Sequence, residues 1–131
     1  GAACTGGHVV HGCANAIYLP KVIAYNSREP EASRRYAEIA SFIGLTADSE
    51  LALVRALVSR ILDMNRELSI PPTLRQYENG IIGESEFLQK LPRIAELAVS
   101  EACTGSNPRR IDTPAMEKLL RCCYYGDPVD F

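Results

Sequence analysis

Between Asp48 and Leu68 the apolar residues Leu51, Val54, Leu57, Val58, Ile61 and Leu62 recur every three or four positions, with Arg55, Ser59, Arg60 and Asp63 between them. A stripe of that period fits one face of an α-helix and no face of a strand. Thr46 or Asp48 can cap the helix, and Pro71-Pro72 forbids its continuation beyond Ile70. Nothing elsewhere in the chain alternates with period two, so the fold class is all-α.

The same reading extends to the rest of the chain. Glu31–Ile43 follows Pro30 and is closed by Gly44, with Tyr36, Ile39, Ala40 and Ile43 as its stripe. Glu84–Lys90 is a short helix with Phe87, Leu88 and Leu91 inward, and Pro92 begins another that runs to Ala102. A loop spans Cys103–Ile111. The last helix has Thr113 as cap, Pro114 at its first position, Met116, Leu119, Leu120 and Cys123 on one side, and Gly126-Asp127-Pro128 as its stop. His11–Tyr25 is apolar almost all round, the mark of a buried helix, with Pro20 predicting a kink. Five or six helices result.

Composition excludes several functions. A chain of 131 residues with 47% hydrophobic content can bury a core, and a net charge of −2 leaves no basic face for nucleic acid or an anionic membrane. No apolar run spans a bilayer and no leader pattern opens the chain, so a soluble, cytoplasmic protein is expected. The five cysteines, Cys4, Cys13, Cys103, Cys122 and Cys123, are irregularly spaced and read as reduced thiols. No phosphate-cradling glycine loop is present.

Two stretches can carry chemistry. The two histidines of the chain, His8 and His11, lie together at the mouth of the buried helix. Imidazoles so placed can share a metal ion or simply hydrogen-bond within a loop. With Cys4 and Cys13 they form a set that can in principle wrap a structural zinc, although its spacing is unlike common zinc modules. The second stretch is Ala102-Cys103-Thr104-Gly105-Ser106-Asn107-Pro108-Arg109, which suits either a pocket wall or an ordinary polar loop. Arg34-Arg35 and Arg109-Arg110 read as solvated charge. With both histidines in one short stretch, a Ser/His/Asp set has little to draw on.

His11-Gly12-Cys13-Ala14-Asn15-Ala16-Ile17-Tyr18-Leu19-Pro20-Lys21-Val22 resembles the His-Gly-x-Ala-Asn-Ala-Ile-x-Leu-Pro-x-Val signature of the group III, iron-dependent alcohol dehydrogenases. Arg35-Tyr36-Ala37-Glu38-Ile39-Ala40 resembles the helix that follows in that family, and the second stretch above resembles its Ala-Cys-Thr-Gly-x-Asn-Pro-Arg loop. Lactaldehyde reductases and the alcohol dehydrogenase halves of bifunctional aldehyde-alcohol dehydrogenases look most similar.

This resemblance implies the C-terminal helical half of a dehydroquinate synthase-like two-domain fold, comprising residues 8–131, with residues 1–7 unmatched. It implies an N-terminal NAD(P)-binding α/β domain outside the chain, and Fe²⁺, sometimes Zn²⁺, held between the domains by one Asp and three His. His11 corresponds to the last of those ligands, Cys103 to a residue lining the substrate pocket, and His8 to a residue that supports the ligands without touching the ion. Val10 stands where the family usually has Pro, and the other metal ligands have no counterpart here. A truncated gene product or excised domain is therefore expected. One imidazole cannot hold Fe²⁺ or Zn²⁺, so the isolated chain is expected to lack dehydrogenase activity towards small alcohols and aldehydes. Self-association through an uncovered Ile17, Leu19 and Val22 face is a further expectation. The competing readings are a helical partner-binding module, including a decayed non-enzymatic homologue, and the small zinc domain.

Overall fold

The computed structural model describes residues 11–77 and 83–131, without the side chain of His11. It contains α1 (His11–Asn26), α2 (Pro30–Phe42), α3 (Glu50–Glu67), α4 (Glu84–Ser100), the short α5 (Ala102–Gly105) and α6 (Thr113–Tyr125). The all-α expectation holds: no strand occurs among the described residues. None of the described helices is long and apolar enough to cross a membrane. Helix α2 packs on α3 and α4 on α6, while α1 runs between the two pairs.

Helix α1 therefore feeds every part of the core. Ala14 and Ile17 meet Phe87, Leu91, Cys123 and Tyr124; Ile23 meets Ala37, Ala40, Val54, Leu57 and Ile61; Tyr25 meets Ile111 and Leu119. In the first cluster the Phe87 and Tyr124 rings stack with centroids 4.1 Å apart. Ile17 is only 3% exposed. It belongs to this core, so the expected surface trio of Ile17, Leu19 and Val22 does not exist as such; Leu19 alone of the three is well exposed.

Several boundaries move for identifiable reasons. Ser49, not Thr46 or Asp48, caps α3, its hydroxyl accepting from the Ala52 N–H at 3.1 Å. Helix α3 ends at Glu67, one residue before the expected Leu68, and Ser69 then turns the chain with φ 58°. Leu51 and Leu62 face solvent, and the buried stripe is Val54, Leu57, Ile61 and Asn65. In α2 the buried residues are Ala32, Ala37 and Ala40, the last two packed with Val54, Leu57 and Ile61 of α3; Ile39 and Ile43 are exposed. Asp112, not Thr113, caps α6, accepting from Ala115 at 2.9 Å.

Pro92 does not begin a helix. It lies inside α4, because Phe87, Leu91, Ile94 and Ala95 form one continuous buried stripe and the proline ring occupies the opposite, exposed face. There water can take the Leu88 carbonyl that Pro92 leaves without a partner. Burial of the common stripe outweighs the lost bond. Helix α1 likewise runs unbroken through Pro20.

Candidate functional site

Of the residues singled out above, Cys4 and His8 lie outside the described residues, as does the His11 side chain. The backbone of His11 opens α1. The two distinctive stretches, some ninety positions apart, come together. Residues 11–22 form α1, residues 102–109 form α5 and the loop after it, and a cleft of about 500 Å³ lies between them and α6. Asn15, Tyr18 and Val22 wall it from α1, Cys103 and Thr104 from α5, and Met116 from α6. Positions 11, 15, 18 and 22 are spaced by four, three and four, one face of a helix. Cys103 is exposed beside this cleft, and Cys13, Cys103, Cys122 and Cys123 are all free thiols.

Interlocking polar contacts hold the loop wall in place. The Asn26 and Asn107 side-chain amides bond reciprocally, at 3.0 and 2.7 Å, and Asn26 also donates to the Tyr36 hydroxyl at 3.1 Å. Asn107 donates in addition to the Arg109 carbonyl at 2.6 Å. The Arg109 guanidinium, expected to be solvated charge, instead donates to the carbonyls of Tyr25 and Phe131 at 2.9 and 2.8 Å and sits 4.0 Å from the Tyr25 ring centre. Tyr25 returns a bond from its hydroxyl to the Arg110 carbonyl at 2.6 Å. The Thr104 hydroxyl ties α5 to α4 through the Ala98 carbonyl, also at 2.6 Å. Arg34 and Arg35 do remain exposed, paired with Glu31.

Thr104, Asn107 and Arg109 stand in a stretch singled out from sequence, but their partners Asn26 and Tyr25, and Asn65 elsewhere in the core, were not. The available signal was asparagine, an unfavourable helix residue, at positions 26 and 65 of otherwise regular helices. Both are buried, at 2% and 8% exposure.

Desolvation sets the ionisation of the cleft. Burial, with a smaller push from nearby Cys123, raises the Tyr18 phenol to about 12, so at neutral pH it keeps its proton. Burial likewise raises the Cys123 thiol to about 12, opposed weakly by Lys21. Neither group ionises near neutrality. Among the described residues no three His, Cys, Asp or Glu side chains come together to hold a metal ion. Cys13 is the one member of the suggested zinc set whose side chain is described, and it is half-buried and free.

Residues 2–124 match the model of the Fe-containing alcohol dehydrogenase family, C-terminal. The chain belongs to this family. The match begins ahead of the first signature residue, within the segment that motif comparison left unassigned. An NADPH-dependent butanol dehydrogenase of Clostridium saccharobutylicum is 45% identical over 95% of this chain, which covers 31% of that protein. The bifunctional aldehyde-alcohol dehydrogenase AdhE of Escherichia coli is 35% identical over 91% of the chain, which covers 15% of that protein. The solved iron-containing alcohol dehydrogenase of Thermococcus thioreducens superposes with a TM-score of 0.78 at 27% identity, covering 91% of this chain and 29% of that one. This member of the Fe-containing alcohol dehydrogenase family thus spans less than a third of the length of these relatives.

Proposed function

We propose that residues 8–131 form the metal- and substrate-binding half of an NAD(P)-linked, iron-dependent alcohol dehydrogenase acting on small alcohols and aldehydes. The observation that carries this reading is the cleft itself. Its walls are the two stretches that carry the family resemblance, and the polar clamp of Asn26, Asn107 and Arg109 holds the second against the first.

His11 fits the role of one ligand to Fe²⁺ or Zn²⁺, since position 11 begins the helical face on which Asn15 and Tyr18 meet the cleft. Such an ion needs three or four protein ligands, and the family resemblance assigns the others to a nucleotide-binding part of the enzyme. When bound, the ion supplies a Lewis acid that polarises the substrate oxygen. The protein's own contribution is to shape a mainly apolar cleft, to place Cys103 beside the substrate and to keep the half-buried Tyr18 phenol protonated. His8 supports the ligands from outside the coordination shell. Without the nucleotide-binding part the chain is inactive.

The test compares the isolated chain with the same chain joined to its nucleotide-binding part. NAD(P)H oxidation with butanal and metal content by elemental analysis are the two readouts. Activity and about one metal ion per chain are expected only in the complete enzyme, and His11→Ala should remove both. Turnover by the isolated chain, or full metal retention in the His11→Ala enzyme, would overturn the reading.

A further inference from the structure

We propose that Phe131 is a positioning residue for the cleft: through Arg109 and the Tyr25 ring it holds in place the cleft lining and the wall that carries Cys103. Residues 127–131, which follow α6, thereby act as a strap behind the site. The effect on substrate binding rests on the dehydrogenase reading above; the strap itself does not.

Three residues belong to the cleft and to a core cluster at once. Tyr25, Ile111 and Leu119 line the cleft, and Val129 and Phe131 pack against the same three side chains. Residues 127–131 form no helix or strand, so side-chain contacts must hold them. The Lys21 ammonium of α1 donates to the Asp127 carbonyl at 2.7 Å and, more weakly, to that of Gly126 at 3.4 Å. At the other end the Phe131 ring lies 5.9 Å from the Tyr25 ring, centre to centre, and the Lys118 ammonium stands 5.5 Å from its centre. The strap thus leaves α6, meets α1 at Lys21 and meets it again at Tyr25.

Arg109 joins the strap to the site. One terminal nitrogen of its guanidinium donates both to the Tyr25 carbonyl, at 2.9 Å, and to the Phe131 carbonyl, at 2.8 Å. Tyr25 stands in the last turn of α1, where carbonyls run short of helical donors and a cation is favoured. Arg109 therefore caps that helix and staples the strap to it with one group. Its own carbonyl accepts from Asn107, a residue of the cleft lining that pairs with Asn26. Residues 106–112 have no helix or strand, so bonds of this kind set where the loop lies. Without the Phe131 ring the strap is released, Arg109 loses an acceptor, and the Tyr25 ring and the loop wall lose their common support.

Hydrogen exchange on the whole 131-residue chain tests the strap. The amides of Thr104, Ser106 and Asn107, bonded to the carbonyls of Glu101, Cys103 and Thr104 at 3.0, 3.3 and 3.1 Å, report on the wall. Phe131→Ala should speed their exchange about tenfold or more, the range for one bond to a charged group, and leave the middle of α2 within about twofold. Phe131→Tyr keeps the ring and should exchange like the wild type. Arg109→Met keeps the stem and removes the donors; it should reproduce the faster exchange, and adding Phe131→Ala to it should change little. Unchanged wall amides, equal acceleration in α2, or additive effects of the two substitutions would each overturn the proposal. In the complete enzyme, Phe131→Ala should raise the KM for butanal about three- to tenfold with kcat within about twofold. A lower kcat at unchanged KM would instead mark a loss of folded enzyme and overturn the positioning role. If the wall amides respond while KM and kcat both keep their wild-type values, the dehydrogenase reading of the cleft fails and the strap stands.

Discussion

The Asn65 side-chain amide donates, at 2.9 Å, to the carbonyl of Ala16, the α1 carbonyl that Pro20 leaves without a helical partner. Proline at i+4 supplies no N–H, and an unpaired carbonyl at the centre of the fold is costly. A side chain from α3 replaces the missing donor, which explains both a buried asparagine on an apolar stripe and a helix that tolerates an internal proline. Asn65→Ala should therefore cost about 1–3 kcal/mol of stability in urea unfolding. In a Pro20→Ala background the restored backbone bond should reduce that cost to less than half. Equal costs in both backgrounds would show that Asn65 and Pro20 are not coupled.

The Asn26–Asn107 pair offers a sharper chemical control. Asn107 uses its amide nitrogen to donate to both the Asn26 side-chain oxygen and the Arg109 carbonyl. Asn107→Asp preserves shape and places an acceptor against two acceptors. We expect it to be at least as destabilising as Asn107→Ala, which should cost about 1–3 kcal/mol by leaving Asn26 partly unpaired. An Asn107→Asp chain as stable as wild type at pH 7 would mean that the amide is not what holds this loop.

Much of this architecture is legible in the sequence, and the rest fails for local reasons. The helices are legible because their apolar stripes are long, and the cleft because both of its walls carry family motifs. Pro92 misleads because a proline is read by its backbone alone, whereas the decision rests on the side of the helix to which its ring projects. Ile39, Ile43, Leu51 and Leu62 mislead for a related reason: an apolar stripe is wider than the face a neighbouring helix covers, so the flanking residues stay in water. Asn26 and Asn65 are illegible because each meets partners 10 to 81 positions away, and only the fold makes the pairing; Asn107 stands in a quoted motif, but its pairing with Asn26 does not show there.

Alkaline pH should unfold the chain through its buried acids. Cys123 and Tyr18 titrate at about 12 in the fold, against ordinary values of 9.0 and 10.0. Above those ordinary values the unfolded chain releases protons that the folded chain retains, so stability falls as pH rises. The contribution is complete below pH 9 and is lost between about pH 9 and 12, at up to about 1.4 kcal/mol per pH unit for each group. Urea midpoints measured from pH 7.5 to 10.5 should show the decline beginning near pH 9, and Cys123→Ala should make it shallower between pH 9 and 10, where burial of Cys122, also raised, leaves a smaller share. A flat profile to pH 10.5 would count against burial of the thiol.

Gly126 closes α6 under two separate constraints. Its φ of 88° lies in the left-handed region, and a Cβ there would stand 2.9 Å from Thr73 Cγ2. Thr73 begins the segment whose backbone caps α6, Leu74 and Arg75 donating to the Cys123 and Tyr124 carbonyls at 3.0 and 3.3 Å. Its hydroxyl accepts from the Gln76 N–H at 3.2 Å. Displacing Thr73 would loosen this cap. Gly126→Ala should consequently cost about 1 kcal/mol for the backbone and a further amount of about 1–2 kcal/mol for the clash. Thr73→Ser removes Cγ2 and keeps the hydroxyl, so it should recover the second part and leave the first. Thermal and urea unfolding of the two single variants and the double variant separate these contributions. If Thr73→Ser recovers nothing in the Gly126→Ala chain, the close approach is relieved by movement elsewhere and the left-handed turn alone sets the requirement for glycine.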